Sequence, residues 1–164
     1  MKCINRQKHE SGRSMVEMVG VLAIMGLLTA GAFVLIKSSL VSQRISRITD
    51  EIDVLVANAR AMTAQSNDFT QFPASDNFDT DGIALAKSIL KSDGVSPFGG
   101  QYYLGYKSQA GTNDKCKKVL VVGVKSMSDS ADCQMLARRD YADSNFCEAV
   151  CNSKSLEIYF TKTN

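Results

Sequence analysis

The sequence predicts an α+β fold in which one long N-terminal helix, apolar and then amphipathic, packs on a small sheet with a disulfide-linked C-terminal region. Three observations carry this. Residues 18–36 form an uncharged, strongly apolar run between Glu17 and Lys37. Beyond it Val41, Ile45, Ile48, Ile52, Leu55, Ala59 and Met62 recur at spacings of four and three, the period of one helix face. The second half changes to short β-rich runs and holds Cys116, Cys133, Cys147 and Cys151.

The chain divides into four parts. Residues 1–12 are polar, and Lys2, Arg6 and Lys8 make them basic, so they stay on the cytoplasmic side of a membrane. Residues 13–36 form a helix whose apolar run of about 20 residues crosses a bilayer core of about 30 Å. Glu17 stands at the edge of that run, where a lone acid costs on the order of 2–3 kcal/mol on insertion scales, so it needs a reason to be there. Gly26 and Ala30, four apart, form a small-xxx-small pair that lets a second helix approach. A plain anchor with Glu17 snorkelling at the edge is the bland reading. A secretory signal peptide cut near Ala30-Gly31-Ala32 fits poorly, because its apolar region is about 7–15 residues and carries no acid at its start.

Residues 37–66 continue the helix as an amphipathic one, since no Pro or Gly interrupts residues 32–66. The whole helix of about 50 residues would be about 75–80 Å long. Its stripe faces the sheet, and Arg44 and Arg47 beside it are solvated. Residues 67–164 are the globular head. Ser66-Asn67-Asp68 and Pro73 end the helix and open a polar loop through residue 82. Asn77, Asp79, Asp81 and Gly82 resemble the first half of a calcium loop, but Ser88 stands where the pattern needs a bidentate Glu. No cofactor is therefore expected, with calcium at Asp79 and Asp81 as the alternative, and Asp81 is read as the cap of a helix over residues 83–91.

Ser96-Pro97-Phe98-Gly99-Gly100 is a turn and residues 101–107 a strand. Residues 118–125, with Val119, Leu120, Val121, Val122 and Val124, form a central strand buried on both faces. Ser128 or Ser130 caps a helix carrying Cys133, Leu136 and Ala137. In residues 156–162 Leu156, Ile158 and Phe160 alternate with Glu157, Tyr159 and Thr161, the pattern of a half-buried last strand. Four cysteines allow three connectivities. A bond between Cys147 and Cys151 would close a tiny loop and stabilise little. A four-cysteine zinc site is disfavoured, for the spacing has no C-x-x-C pair.

A short basic leader ending in Gly12, then Arg13 to Val16, then Glu17 and an apolar helix resembles the prepilin signal of type IV pilins and of type II secretion pseudopilins. The resemblance implies cleavage after Gly12 by prepilin peptidase and methylation of the new amino terminus, Arg13. It implies that Glu17 pairs with the terminal amine of a neighbouring subunit, which answers the cost of the buried acid. It departs from the family at Arg13, where an apolar residue is usual, and in lacking a proline within the run. The strand, serine-rich turn and cysteine-bearing helix resemble type IVb pilins, in which that cysteine bonds one near the C-terminus. Cys147 and Cys151 are the candidate partners of Cys133, and the pairing expected is Cys133–Cys151 with Cys116–Cys147. The implied fold is the pilin fold, a long helix on a small antiparallel sheet. The implied function is that of a filament subunit serving attachment, motility, aggregation or DNA uptake. The implied partners are further copies, minor pilins, the peptidase, an inner-membrane platform and an assembly ATPase. The implied location is the inner membrane, head periplasmic, and then an extracellular pilus. The alternatives are a pseudopilin and an anchored periplasmic binding domain that never polymerises.

Composition narrows the rest. Loss of residues 1–12 removes Lys2, Arg6, Lys8 and Glu10, taking the formal charge from +2 to zero, so no nucleic acid partner is expected. His9 is the only histidine and lies in the leader. Histidine triads and shuttles are thereby excluded from the processed chain, and no enzyme is expected.

Overall fold

The computed structural model describes residues 15–66, 68–74, 78–110, 116–141 and 143–162. It divides into two units, Met1–Ser42 and Gln43–Asn164. Helix α1 (Met15–Met62) contributes to both. In the first unit the described residues are helix alone. The second is α+β: after α1 come a π-helical turn (Phe78–Gly82), α2 (Ile83–Leu90), β1 (Gln101–Gln109), β2 (Lys117–Lys125), α3 (Ser130–Ala137), β3 (Phe146–Asn152) and β4 (Ser155–Phe160).

The four strands form one sheet in the order β1-β2-β4-β3, and every neighbouring pair is antiparallel. Ile48, Ile52, Leu55, Val56 and Ala59 of α1 are buried on one face of it, with Tyr102, Leu104, Leu120, Val122, Val124, Leu156, Ile158 and Phe160. The expected stripe is too long at both ends. Val41 and Met62 are 41% and 53% exposed, since the buried contacts run only from Ile48 to Ala59, with Ile45 packed at their edge. Val56, one residue past Leu55 and about 70° round the helix from the centre of the stripe, is the residue that pattern leaves out.

Helix α1 stops at Met62 rather than residue 66 because its last carbonyls are taken by side chains. The Thr63 hydroxyl donates to Ala59 O at 2.9 Å, Gln71 Nε2 to Met62 O at 3.2 Å, and Lys162 Nζ to Thr63 O. Such donors satisfy the orphan groups of a helix end. Asp81 is not a cap: it lies within the π-helical turn that runs straight into α2, and Gly82 holds the cap position with no side-chain bond. Neither Ser128 nor Ser130 caps α3. Asp129 does, its carboxylate accepting from Ala131 N at 2.9 Å. An ionised acceptor at a helix N-terminus adds a favourable dipole interaction that a serine lacks.

Strand β2 is central, and Val119 to Val124 are buried on both faces as expected. A second, smaller core covers the far face: Phe78, Tyr103, Ala110, Cys116, Val119, Val121 and Tyr159. Strand β4 is accordingly covered on both sides rather than half-buried, and Tyr159 is only 4% exposed. Two glycines make this second core possible. A Cβ on Gly123 would lie 2.2 Å from the Tyr103 ring, and one on Gly105 would lie 1.9 Å from the Phe78 ring. Each ring takes the space that a side chain on the glycine would fill, and the two rings stack at 5.2 Å.

The sequence reading has no strand at β3. Its pairing with β4 slips between Phe146↔Phe160 and Glu148↔Tyr159, leaving Cys147 as an extra residue in a β-bulge. Residues four apart in a regular strand share a face. The bulge breaks that rule, so Cys151 packs with the α1-side core and Cys147 with the far one. The disulfides follow: Cys133–Cys151 on one face and Cys116–Cys147 on the other, with Cα separations of 5.8 and 5.9 Å.

Candidate functional site

Every described residue from Met15 to Arg44 is exposed. Fourteen large apolar side chains between Met15 and Ile36 are 53–87% exposed. Each is worth about 1.5–3 kcal/mol when buried, so leaving the set in water costs on the order of tens of kcal/mol. The helix is long and apolar enough to cross a membrane by length and composition. The 20 residue steps from Glu17 to Lys37 rise about 30 Å, the thickness of a bilayer core. At the far end Lys37 Nζ lies over the Phe33 ring at 4.6 Å, a cation–aromatic pair suited to a membrane interface.

Glu17 is the acidic residue of the first turn of α1, where the positive end of the helix dipole favours a carboxylate. Among the described residues it makes no ion pair or hydrogen bond. Glu17, Gly20, Val21 and Ile24, at i, i+3, i+4 and i+7, share one face and line a shallow open groove with Met18. A Cβ on Gly20 would meet nothing within 4 Å, so the backbone beside the acid is open to approach. Gly26 and Ala30 lie about 180–220° round the helix from Glu17, and Gly26 is equally open. The rod therefore offers small-residue contacts on two opposed sides, one of them beside the acid. Gly12 and Arg13, and with them the expected cleavage point, lie outside the described residues.

A second cluster of ionisable residues, in the head, is structural. On the far face of the sheet Glu157 accepts from Tyr103 Oη at 3.0 Å and from Lys107 Nζ and Tyr159 Oη. The arrangement again depends on Gly123, which pairs with both Tyr103 and Glu157 and lets the tyrosine reach across β2. Burial pushes the Glu157 carboxyl up, but the hydrogen bonds from Lys107 and the tyrosines and the Lys107 charge outweigh it, leaving it below the usual range. Burial and the same carboxylate push Tyr103 and Tyr159 upward. A depressed carboxyl stabilises the fold above its unfolded pKa of about 4.3 and loses that contribution as pH falls through its folded value. Glu157→Gln therefore lowers stability by about 1–2 kcal/mol at neutral pH, and flattens the fall in melting temperature between pH 5 and pH 3. Thermal melts across that range check both.

Asp79 and Asp81 are exposed, and Asp79 pairs with Lys125. Asn77 lies outside the described residues, and among those described no group of three or more His, Cys, Asp or Glu could hold a metal ion. The sequence reading missed the Tyr103–Lys107–Glu157–Tyr159 cluster. Its signal was Gly105 and Gly123, two glycines inside strands, which mark a close approach from above the sheet. Comparisons with protein-family models, curated proteins and solved structures find no match to this chain.

Proposed function

We propose that this chain is a structural subunit of a type IV pilus filament rather than an enzyme. In this reading prepilin peptidase cuts after Gly12, and residues 13–36 hold the subunit in the inner membrane with its head in the periplasm. Assembly then draws it into a fibre in which Glu17 of one copy meets the amino terminus of the next. One observation supports this above all: an acid with no partner among the described residues, at the start of an apolar helix that none of the described residues covers. Lipid answers the apolar surface before assembly and neighbouring helices answer it afterwards, but only a neighbour's cation answers the acid. The two disulfides of the head favour a pilin over a major pseudopilin, a group that usually lacks them.

Intact mass of the exported chain tests the reading. The expected product begins at Arg13, with or without one added methyl group, and occurs in sheared surface fibres. A chain beginning near Ala32 or Phe33 would be a cleaved secretory product. A processed chain that never leaves the envelope of a cell bearing the assembly ATPase would overturn the filament role.

A further inference from the structure

Helix α1 carries a second charge pattern, outside the membrane segment. Arg44 and Arg47 lie three apart, and Asp50 and Asp53 lie three apart. All four are exposed. Arg47 Nε bonds Glu51 Oε1 at 2.9 Å within the chain, whereas Arg44, Asp50 and Asp53 form no ion pair among the described residues. With Ile48, Ile52, Leu55 and Ala59 facing the sheet, Arg44 and Arg47 lie about 50° and about 110° to one side of that stripe, at 100° per residue. Thr49, Asp53 and Arg60 lie about 90–130° to the other.

On that second side the helix borders a cleft of about 400 Å³ lined by Thr49, Asp53, Val56, Arg60, Asp143 and Ser144. Its cation is already spent, because Arg60 grips Asp143 through two bonds of 2.8 and 3.0 Å. Asp53 is left beside Asp143 and Asp50 with an uncompensated charge. Burial, then those two carboxylates, push its own carboxyl above the ordinary range. Val56 and Ala57 give the cleft an apolar floor suited to an alkyl stem.

We propose that this cleft receives the Arg44–Arg47 face of a second copy, Arg44 supplying the free guanidinium for Asp53. Charge and geometry together select this occupant. A basic flank and an acidic flank on opposite sides of one helix are complementary by translation, not by a two-fold axis. Such a contact is heterologous and repeats without closing. Matching Arg47 or Arg44 to Asp53 shifts the next copy by six to nine residues, about 9–13.5 Å along the helix. The sense of the shift agrees with that of the Glu17 contact: in both, the acid of one copy meets a cation that lies nearer the amino terminus of the next. This inference rests on the filament reading and adds to it a contact in the head that sets register.

Charge exchange in full-length protein tests it. Arg44→Glu and Asp53→Lys alone should each lower the sheared-fibre yield at least tenfold, with unchanged membrane-bound protein and melting temperature. The combination should recover at least a third of wild-type yield. Asp53→Asn, which removes the charge without adding bulk, should lower yield in the same direction and covers the case in which the lysine variant fails to fold. Single variants with normal fibres, or a double variant no better than either single, overturn the contact while leaving the filament. A wild-type chain that forms no fibres overturns the filament reading itself, and this contact with it.

Discussion

On the filament reading, Glu17→Val should abolish fibres and leave the membrane-bound subunit at normal or raised levels. The two halves of that result have separate causes. Inserting the helix becomes easier, because a side chain that costs on the order of 2–3 kcal/mol near the apolar run is replaced by one that belongs there. Assembly becomes harder, because the positive group that the carboxylate would meet in a neighbour is left buried without a partner. Breaking a desolvated charge pair on one side costs about 3–5 kcal/mol. Spread over one contact per added subunit, that is a factor of roughly 10²–10⁴ in the concentration needed for elongation. Glu17→Gln should fall between, since an amide accepts a hydrogen bond but carries no charge. Immunoblots of the sheared fraction and of washed membranes measure the two halves. Fibres at normal yield from the valine variant would show that the acid has no part in assembly, and loss of the protein from membranes would show that it acts on insertion.

What could be read from the sequence follows from how far each signal reaches along the chain. The helix was legible because its period repeats through Ile48, Ile52, Leu55 and Ala59, and the central strand because Val119 to Val124 are apolar without a break. These are local patterns that burial enforces directly. The helix ends were misplaced because their partners are remote: Gln71 and Lys162 cap carbonyls at residues 62 and 63. Asp129 over its serine neighbours is a choice among adjacent candidates that only backbone geometry makes. Strand β3 was missed for a sharper reason. Phe146 to Asn152 does not alternate, because the bulge at Cys147 changes face in mid-strand, and every residue before Asn152 is half-buried. The site differs from the fold in this respect. Glu17, Gly26 and Ala30 could be named from sequence alone, since membrane-length apolarity and one misplaced charge are one-dimensional facts. The cleft at Asp53 could not, because Arg60 and Asp143 are 83 residues apart.

Removing both disulfides should unfold the head at 37 °C, while removing either leaves it folded but weakened. The chain-entropy model assigns about 3.7 kcal/mol to closing the 31-residue span of Cys116–Cys147 and about 3.2 kcal/mol to the 18-residue span of Cys133–Cys151. The spans overlap, so the two together give less than the sum. Even so, they account for much of the 5–15 kcal/mol that a domain of this size holds in total. A single pair replaced by serines should lower the melting temperature by about 10–20 °C. The two replacements should differ in where the damage falls. Cys133–Cys151 ties α3 to β3 over the α1-side core, so its loss frees α3 first, and amide exchange should rise in Ser130–Ala137 ahead of the sheet. Cys116–Cys147 ties the start of β2 to the bulge, so its loss releases the edge strand that has β4 as its one strand partner, and exchange should rise through Phe146–Asn152. The bulge makes this division possible, since without it both cysteines of β3 would face one core and the other would have no staple. Equal, uniform loss of protection in both variants would show that the sheet and α3 open as one unit and that the two bonds act only through the unfolded chain.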